Sequence, residues 1–460
     1  MDGAKAGSGE VPELLLQKIK AGLAKVSPRS TSWSIFTVPN KLRSVKAGAY
    51  DPHILSIGPF HHGRPNLAGM QTHKWRYTLS LLERTQDAIP TMESCLKAIL
   101  GFDHEIRACY AEPITHEPTE LAEILFLDGC FILELFLRYS NNEPNLNHGD
   151  LQNDPIFTTS WIISTLQRDM ALLENQIPFF VLEWLFDYTV RRSSSRVDSL
   201  PDIALGFFKS AISGSLPRNP AQSTAAAAAN FQGRETIRME RRQSTKHLLH
   251  LIHTSYRPSS PKAEARLQIG APAAPSAFVP SVGELCAAGI QVQMQRKPTK
   301  SMLDLKFKNG VLKIPPLRIH DSTDALFRNL VAFEQCFHGC PQYITSYVLL
   351  MDRLVYTMDD VELLEQSMIL ENYLGSRAEA ADLFDSICKQ IGIQDFYFPV
   401  LCDQLNEFYC RRWTSYWVDL RRNYFTSKWT LASVFAAFLL LTMALVQTLY
   451  TVLSYYSYRK

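Results

Sequence analysis

The sequence predicts a mainly α-helical protein: a single large helical domain with a small β-hairpin, plus one C-terminal transmembrane helix. Three observations lead there. Most of the 460 residues fall into apolar patterns of helical period. One Asn309-Gly310 dipeptide sits between two short alternating runs, which is the signature of a two-residue hairpin. Residues 431–453 carry no charge at all.

The elements follow in order. Residues 1–34 hold a short amphipathic helix, over 11–26, and a linker. The helical domain is expected over 35–428. Residues 66–84 carry Leu67, Met70, Trp75, Leu79 and Leu82 at near-helical spacing, and 91–110 repeat the pattern with Met92, Leu96, Ile99 and Leu100. Pro118 opens a helix to Leu137 whose middle, ILFLDGCFILELF, is apolar on nearly every face; such a helix lies inside a bundle, with Asp128 as a buried or half-buried carboxylate. Residues 155–188 read as a long helical region interrupted at Pro178, where a kink or break is expected.

The middle changes character. Residues 213–236 and 256–280 are rich in Pro, Ala and Ser, with too few large apolar groups to pack, and read as low-complexity loops. Between them KHLLHLIH (246–253) reads as a short helix. Residues 302–314 alternate around Asn309-Gly310 and form the expected hairpin. Helices are expected again over 321–337, 343–356, 359–366 and 377–391, and a long aromatic-rich one over 395–424.

The uncharged run over 431–453 has the length of a membrane crossing: about 23 residues at 1.5 Å each exceed a hydrocarbon core of roughly 30 Å. Tyr424, Phe425 and Trp429 flank one end, and Tyr450, Tyr455, Tyr456 and Tyr458 the other, as interfacial aromatic belts do. The transmembrane helix is thus placed at 429–456, with a short tail at 457–460. The first thirty residues show no apolar stretch of signal-peptide length. Arg411, Arg412, Arg421, Arg422 and Lys428 precede the run, against Arg459 and Lys460 after it. The expectation is a single-pass tail anchor with the N-terminal domain in the cytosol.

Nine scattered cysteines, an odd number without framework spacing, suit a reducing compartment, and the absence of any Asn-x-Ser/Thr sequon points the same way. A net charge of +2 without a basic patch gives no reason to expect nucleic acid.

Several segments share their wording with a known family. Tyr50-Asp-Pro-His-Ile-Leu-Ser-Ile-Gly-Pro-Phe-His-His-Gly63, Met70, His73-Lys74, Asp128-Gly-Cys-Phe-Ile-Leu-Glu-Leu-Phe136, Asp169-Met-Ala-Leu-Leu-Glu-Asn-Gln-Ile-Pro-Phe-Phe180 and Phe327-Arg-Asn-Leu-Val-Ala-Phe-Glu-Gln335 recur in order. With the Trp429 segment they resemble the plant family called "domain of unknown function 247". The resemblance runs from about Ile35 to the C-terminus, outside the two low-complexity loops. It implies a plant single-pass membrane protein of one helical domain and carries over no established reaction. Some members are associated with reproductive recognition, including self-incompatibility in grasses.

His61 and His62 with His73 lack the further ligands that zinc needs, so they are expected in a turn that hydrogen-bonds a neighbouring helix. His247, His250 and His253 recur at three-residue steps beside Lys246 and are expected on a solvated face. Cys336 and Cys340 with His338 lack a second ligand pair and read as ordinary thiols. Asp128, Glu134, Asp169, Glu174 and Asn175 stand within apolar helical stretches. They are expected to form a buried structural network in which Glu174 and Asn175 satisfy helix ends freed at Pro178. No nucleophile elbow or phosphate loop is present. No catalytic, cofactor-binding or metal residue is assigned, and no cofactor.

The expected function is therefore a membrane-tethered interaction or recognition protein, with membrane lipid and an unidentified protein as partners. The alternative is a hydrolase-like enzyme using Asp128, Asp169 and His61. The two differ in the interior: a reachable pocket lined by those groups for the enzyme, a filled core for the other.

Overall fold

The computed structural model describes residues 13–24, 33–140, 154–192, 198–212, 245–258, 279–295, 301–410 and 428–458. The protein is mainly helical, and its core is one continuous apolar cluster running from Ile35 to Leu405.

Helix α1 is Glu13–Ala24, and its described side chains are all exposed. The domain proper begins with α2 (Gln71–Glu83), α3 (Ala88–Gly101) and α4 (Pro118–Tyr139). Helix α4 starts on Pro118, where a missing N–H costs nothing, and is buried continuously from Ile124 to Leu137. It is the hub of the first half. Helices α2 and α3 pack on it, as do α6 (Phe179–Phe186) and α7 (Leu200–Phe207). Gly129 makes room for α6, since a Cβ there would stand 2.4 Å from a Leu185 methyl.

Helix α5 (Ile162–Met170) and helix α8 (Leu248–Ser255) lead into the second half. Its centre is α9 (Asp321–Cys336), buried on most faces, which touches α5, α8, α10 (Tyr343–Leu354) and α12 (Arg377–Cys388). Helix α11 (Met358–Gln366) packs on α12, and α13 (Pro399–Cys410) covers the hairpin.

The hairpin joins β2 (Lys306–Lys308) to β3 (Val311–Ile314) in antiparallel register. Asn309 (φ 53°) and Gly310 (φ 75°) both occupy the left-handed region that a type I′ turn requires. The sequence did not announce two further pairings. Strand β1 (Gln291–Met294) lies parallel to β3, and β4 (Leu317–Ile319) parallel to β5 (Leu370–Asn372).

Several expectations need correction. In 66–84 the α-helix begins at Gln71, after a 3-10 turn over Pro65–Met70. Its buried face is Lys74, Tyr77, Thr78, Leu81 and Leu82, the side turned to α4, while Trp75 and Leu79 on the neighbouring side are exposed. The break in 155–188 is wider than a proline kink: residues 171–178 form a non-helical turn. Helix α12 ends at Cys388 rather than 391, and α13 is described only to Cys410, so the remainder of the helix expected over 395–424 lies outside the described residues. Tyr256 and Val279 are buried, so the second loop expected at 256–280 does not include its end residues; 213–244 and 259–278 lie outside the described residues.

Among the described residues no helix is long and apolar enough to cross a membrane. Helix α14 (Lys428–Tyr458) has side chains described at Ser433 and at 435–451, a stretch shorter than a full span, and all of them are exposed. The crossing helix expected at 429–456 is not established by these residues.

Candidate functional site

Residues 53–58, His-Ile-Leu-Ser-Ile-Gly, run inward without joining a helix or a sheet, so their backbone groups need other partners. Side chains from distant helices supply them. Asp169, in the last turn of α5, accepts the N–H groups of His53, Ile54 and Leu55 at 3.0, 2.8 and 3.0 Å. Asn175 Oδ1 accepts the Ile57 N–H at 2.6 Å, and Asp128 Oδ2 the Gly58 N–H at 2.8 Å. Two carbonyls are met as well: Asn175 Nδ2 donates to Leu55 O at 2.9 Å, and Lys74 Nζ to Ser56 O at 2.6 Å. Lys74 also pairs with Asp128. Burial pushes the Asp128 carboxyl above its usual range, against the opposing pull of Lys74 and the Gly58 N–H.

The turn over 171–178 is built to deliver these groups. Asn175 Nδ2 caps the Asp169 carbonyl at 2.9 Å, and Gln176 Nε2 caps those of Met170 and Leu172 at 2.8 and 2.7 Å. The expected network therefore exists, with one change of role. Glu174 does not serve the helix end; it accepts the Val38 N–H at 2.6 Å and pairs with Arg43 at 2.6 Å, because the turn points it toward residues 38–43. Glu134 stands apart, held by Arg84 at 2.8 Å and Arg138 at 2.7 Å, with Arg138 continuing to Asp154.

His61 is buried, and neither ring nitrogen has a hydrogen-bond partner among the described residues, contrary to the expected bond to a neighbouring helix. The nearest carboxylate, Glu174, is 3.6 Å away and already engaged. Burial, with Arg64 and Arg43 nearby, pushes this imidazole down to about 4.

The histidines of α8 overturn their expected solvated face. His247, His250 and His253 are all buried against Phe333, with ring centroids 5.2, 5.5 and 5.6 Å from it. All three rings pack on α9 as aromatics, while each finds a polar partner, on α9 for His253 and elsewhere for His247 and His250. His247 Nε2 meets Ser34 O at 2.9 Å, and its Nδ1 accepts the His250 N–H. His250 Nδ1 accepts the Lys246 N–H at 3.0 Å. Burial pushes His247 down to about 3 and His250 to about 2, so both are neutral.

His253 brings a further constellation that the sequence motifs did not join. Its Nε2 lies 2.7 Å from Glu334 Oε1, and Cys340 Sγ lies 3.8 Å from Nε2 and 4.0 Å from Nδ1. Nearly equal distances to both nitrogens keep the sulfur off the Nδ1 lone-pair axis that a base would use. Glu334 also accepts the Ile344 and Thr345 N–H groups at 2.8 Å and the Thr345 hydroxyl at 2.6 Å, so it ties α9 to α10. Burial pushes the Cys340 thiol up to about 12. The arrangement resembles a thiol–imidazole–carboxylate relay in composition and lacks its geometry and its thiolate.

Beside it opens a cavity of about 570 Å³, lined among others by Cys336, His338, Cys340, Tyr343, Asp395 and Tyr397. Its amide side chains are engaged with the wall: Gln335 binds Gly392, and Gln342 binds the Gln394 N–H. A smaller cavity of about 190 Å³ reaches Asp128 and Lys74 beside His62, Glu120 and Glu123; neither Asp169 nor His61 lines it. No group of three His, Cys, Asp or Glu able to hold a metal ion occurs among the described residues.

The geometry defines a helical scaffold whose interior carboxylates and amides grip its own backbone. The chain belongs to the plant family known as domain of unknown function 247: the model of that family, described as a plant protein of unknown function, matches residues 35–443. It is similar to the UPF0481 protein At3g47200 of Arabidopsis thaliana, with 31% identity across 99% of this chain and 91% of that one. A second UPF0481 relative from Arabidopsis thaliana, At3g02645, is 22% identical across 90% of this chain and 89% of its own length. No solved structure matches.

Proposed function

We propose that this protein is a membrane-tethered interaction protein, held by α14 and acting through the surface of its helical domain. The observation that carries this is the exposure of α14. Every described side chain from Phe435 to Thr451 is exposed, including Phe438, Leu440, Leu441, Met443, Leu445 and Val446. Seventeen consecutive residues cover all faces of a helix, so this is an apolar surface all round, and an aqueous solvent disfavours it by about 25 cal/mol per Å². The uncharged sequence continues on both sides, over 431–453, to the length of a bilayer core. Thr442, Thr448 and Thr451 return their hydroxyls to carbonyls of the same helix, as hydroxyls in an apolar medium do.

Against catalysis stands the state of the interior. Asp169 and Asn175 are spent on backbone groups, and the Cys340 thiol is protonated and misaligned. Binding by the domain surface is what remains for such a scaffold.

Deletion from Trp429 onward tests the reading. The full chain should stay in the membrane pellet after alkaline extraction, and the truncated chain should become soluble. A truncated chain that remains pelleted while monodisperse in detergent overturns the tether. Proximity labelling from the N-terminus in native tissue then identifies neighbours; labelling that enriches only bulk proteins at random would remove the interaction role.

A further inference from the structure

The N-terminal helix α1 is a second apolar element without a cover. Leu14, Leu15, Leu16, Ile19 and Leu23 are 82%, 48%, 41%, 52% and 66% exposed. At 100° per residue, Leu15, Ile19, Leu23 and Leu16 fall within one arc of about 100°, while Leu14 lies outside it. Lys18 and Lys20 stand just beyond the two edges of that arc, and both are exposed. Lysines flanking an apolar arc match a bilayer interface: the leucines enter the acyl boundary while the ammonium groups reach the phosphates. A soluble partner's groove would need acidic residues at both rims to match this pair, whereas an anionic lipid surface offers that charge everywhere.

We propose that α1 lies in the interface of an anionic lipid bilayer as a second membrane contact. This rests on the proposed tether in one respect: α14 brings the chain to a membrane and raises the local lipid concentration that a weak twelve-residue helix needs. The consequence is orientation. Only residues 25–32 separate α1 from Trp33, where the described domain begins, and eight residues reach at most about 28 Å. A domain held at both α1 and α14 is fixed at two points, so one face of it is presented away from the membrane.

The test uses the full chain reconstituted in phosphatidylcholine vesicles with and without phosphatidylserine, with backbone hydrogen exchange read over residues 13–24. The proposal expects exchange slowed about tenfold or more in the anionic vesicles relative to those of phosphatidylcholine alone. Ile19→Asp combined with Leu23→Asp should abolish the protection, and Lys18→Gln with Lys20→Gln should abolish the preference for phosphatidylserine. Equal exchange in the two vesicle compositions overturns it. Protection that rises with protein concentration assigns the face to a second copy and overturns it as well. Alkaline extraction of the same vesicles reports on α14 separately, so loss of the tether and loss of the α1 contact are distinguishable.

Discussion

Asp169 Oδ2 accepts the Leu55 N–H at 3.0 Å across 114 residues of sequence. The same carboxylate holds His53 and Ile54, so one side chain fixes three consecutive donors of a segment that has no strand partner. Asn175 and Asp128 take the next two donors that are held, those of Ile57 and Gly58. Removing any of these groups strands backbone donors in a dry interior, and this makes the scaffold role measurable.

Asp169→Ala should destabilise the domain by roughly 3–5 kcal/mol, since a buried N–H left without a partner costs roughly 1–3 kcal/mol and two of the three donors lie in half-buried or buried residues. Urea unfolding of the detergent-solubilised chain, with an exposed Asp385→Ala control, checks it. A variant as stable as the control would remove Asp169 from the framework and reopen a chemical role.

Gly58 and Gly63 separate strain from crowding. Both have positive φ, 69° and 75°, so alanine costs about 1 kcal/mol or more at either. At Gly58 the new Cβ would also stand 2.5 Å from the Gln176 carbonyl oxygen, while at Gly63 it meets open space. Gly58→Ala should therefore lower the melting temperature clearly more than Gly63→Ala. Equal effects would show that the 53–58 segment does not seat against the 171–178 turn.

Acid should loosen the domain through its buried histidines. His61, His247 and His250 are pushed down from 6.5 to about 4, 3 and 2. Above pH 6.5 they are neutral in both states and leave stability unchanged. As pH falls below 6.5 the unfolded chain takes up protons that the folded one refuses, so stability is lost, by about 1.4 kcal/mol per pH unit for each histidine until its folded value is reached. Unfolding free energies measured from pH 7.5 to 5 should show this slope, and His250→Leu should lower it by about a third. A flat profile in the parent would contradict the burial of the α8 histidines.

Cys340 should react slowly. Its raised thiol pKa leaves little thiolate at neutral pH, whereas Cys410 is exposed. Under limiting iodoacetamide, peptide mapping should find Cys410 modified first, with Cys340 behind it and the buried Cys95, Cys130 and Cys402 last. Preferential modification of Cys340 would revive a nucleophile paired with His253.

How much was legible in the chain can be said from particular residues. The uniformly apolar run around Asp128 announced a buried hub helix, because Leu, Ile and Phe on every face keep a helix out of water while its carboxylates disfavour lipid. Asn309-Gly310 announced its hairpin, because only those residue types enter the left-handed region at low cost. Asp128, Asp169 and Asn175 stood out as polar groups in apolar surroundings, and their structural role followed from the price of leaving them unpaired.

Only the tertiary structure decided who their partners are. The bonds from Asp169 to residues 53–55, from Glu174 to Val38 and from Glu334 to His253 each link elements far apart in sequence, and no local pattern encodes such pairings. The α8 histidines show the same limit in reverse. Three-residue spacing put them on one face, as it had to, but whether that face meets water or Phe333 depends on where α9 lies. Periodicity fixes a face because backbone geometry is local; burial and partnership are long-range, and are set only when the helices pack.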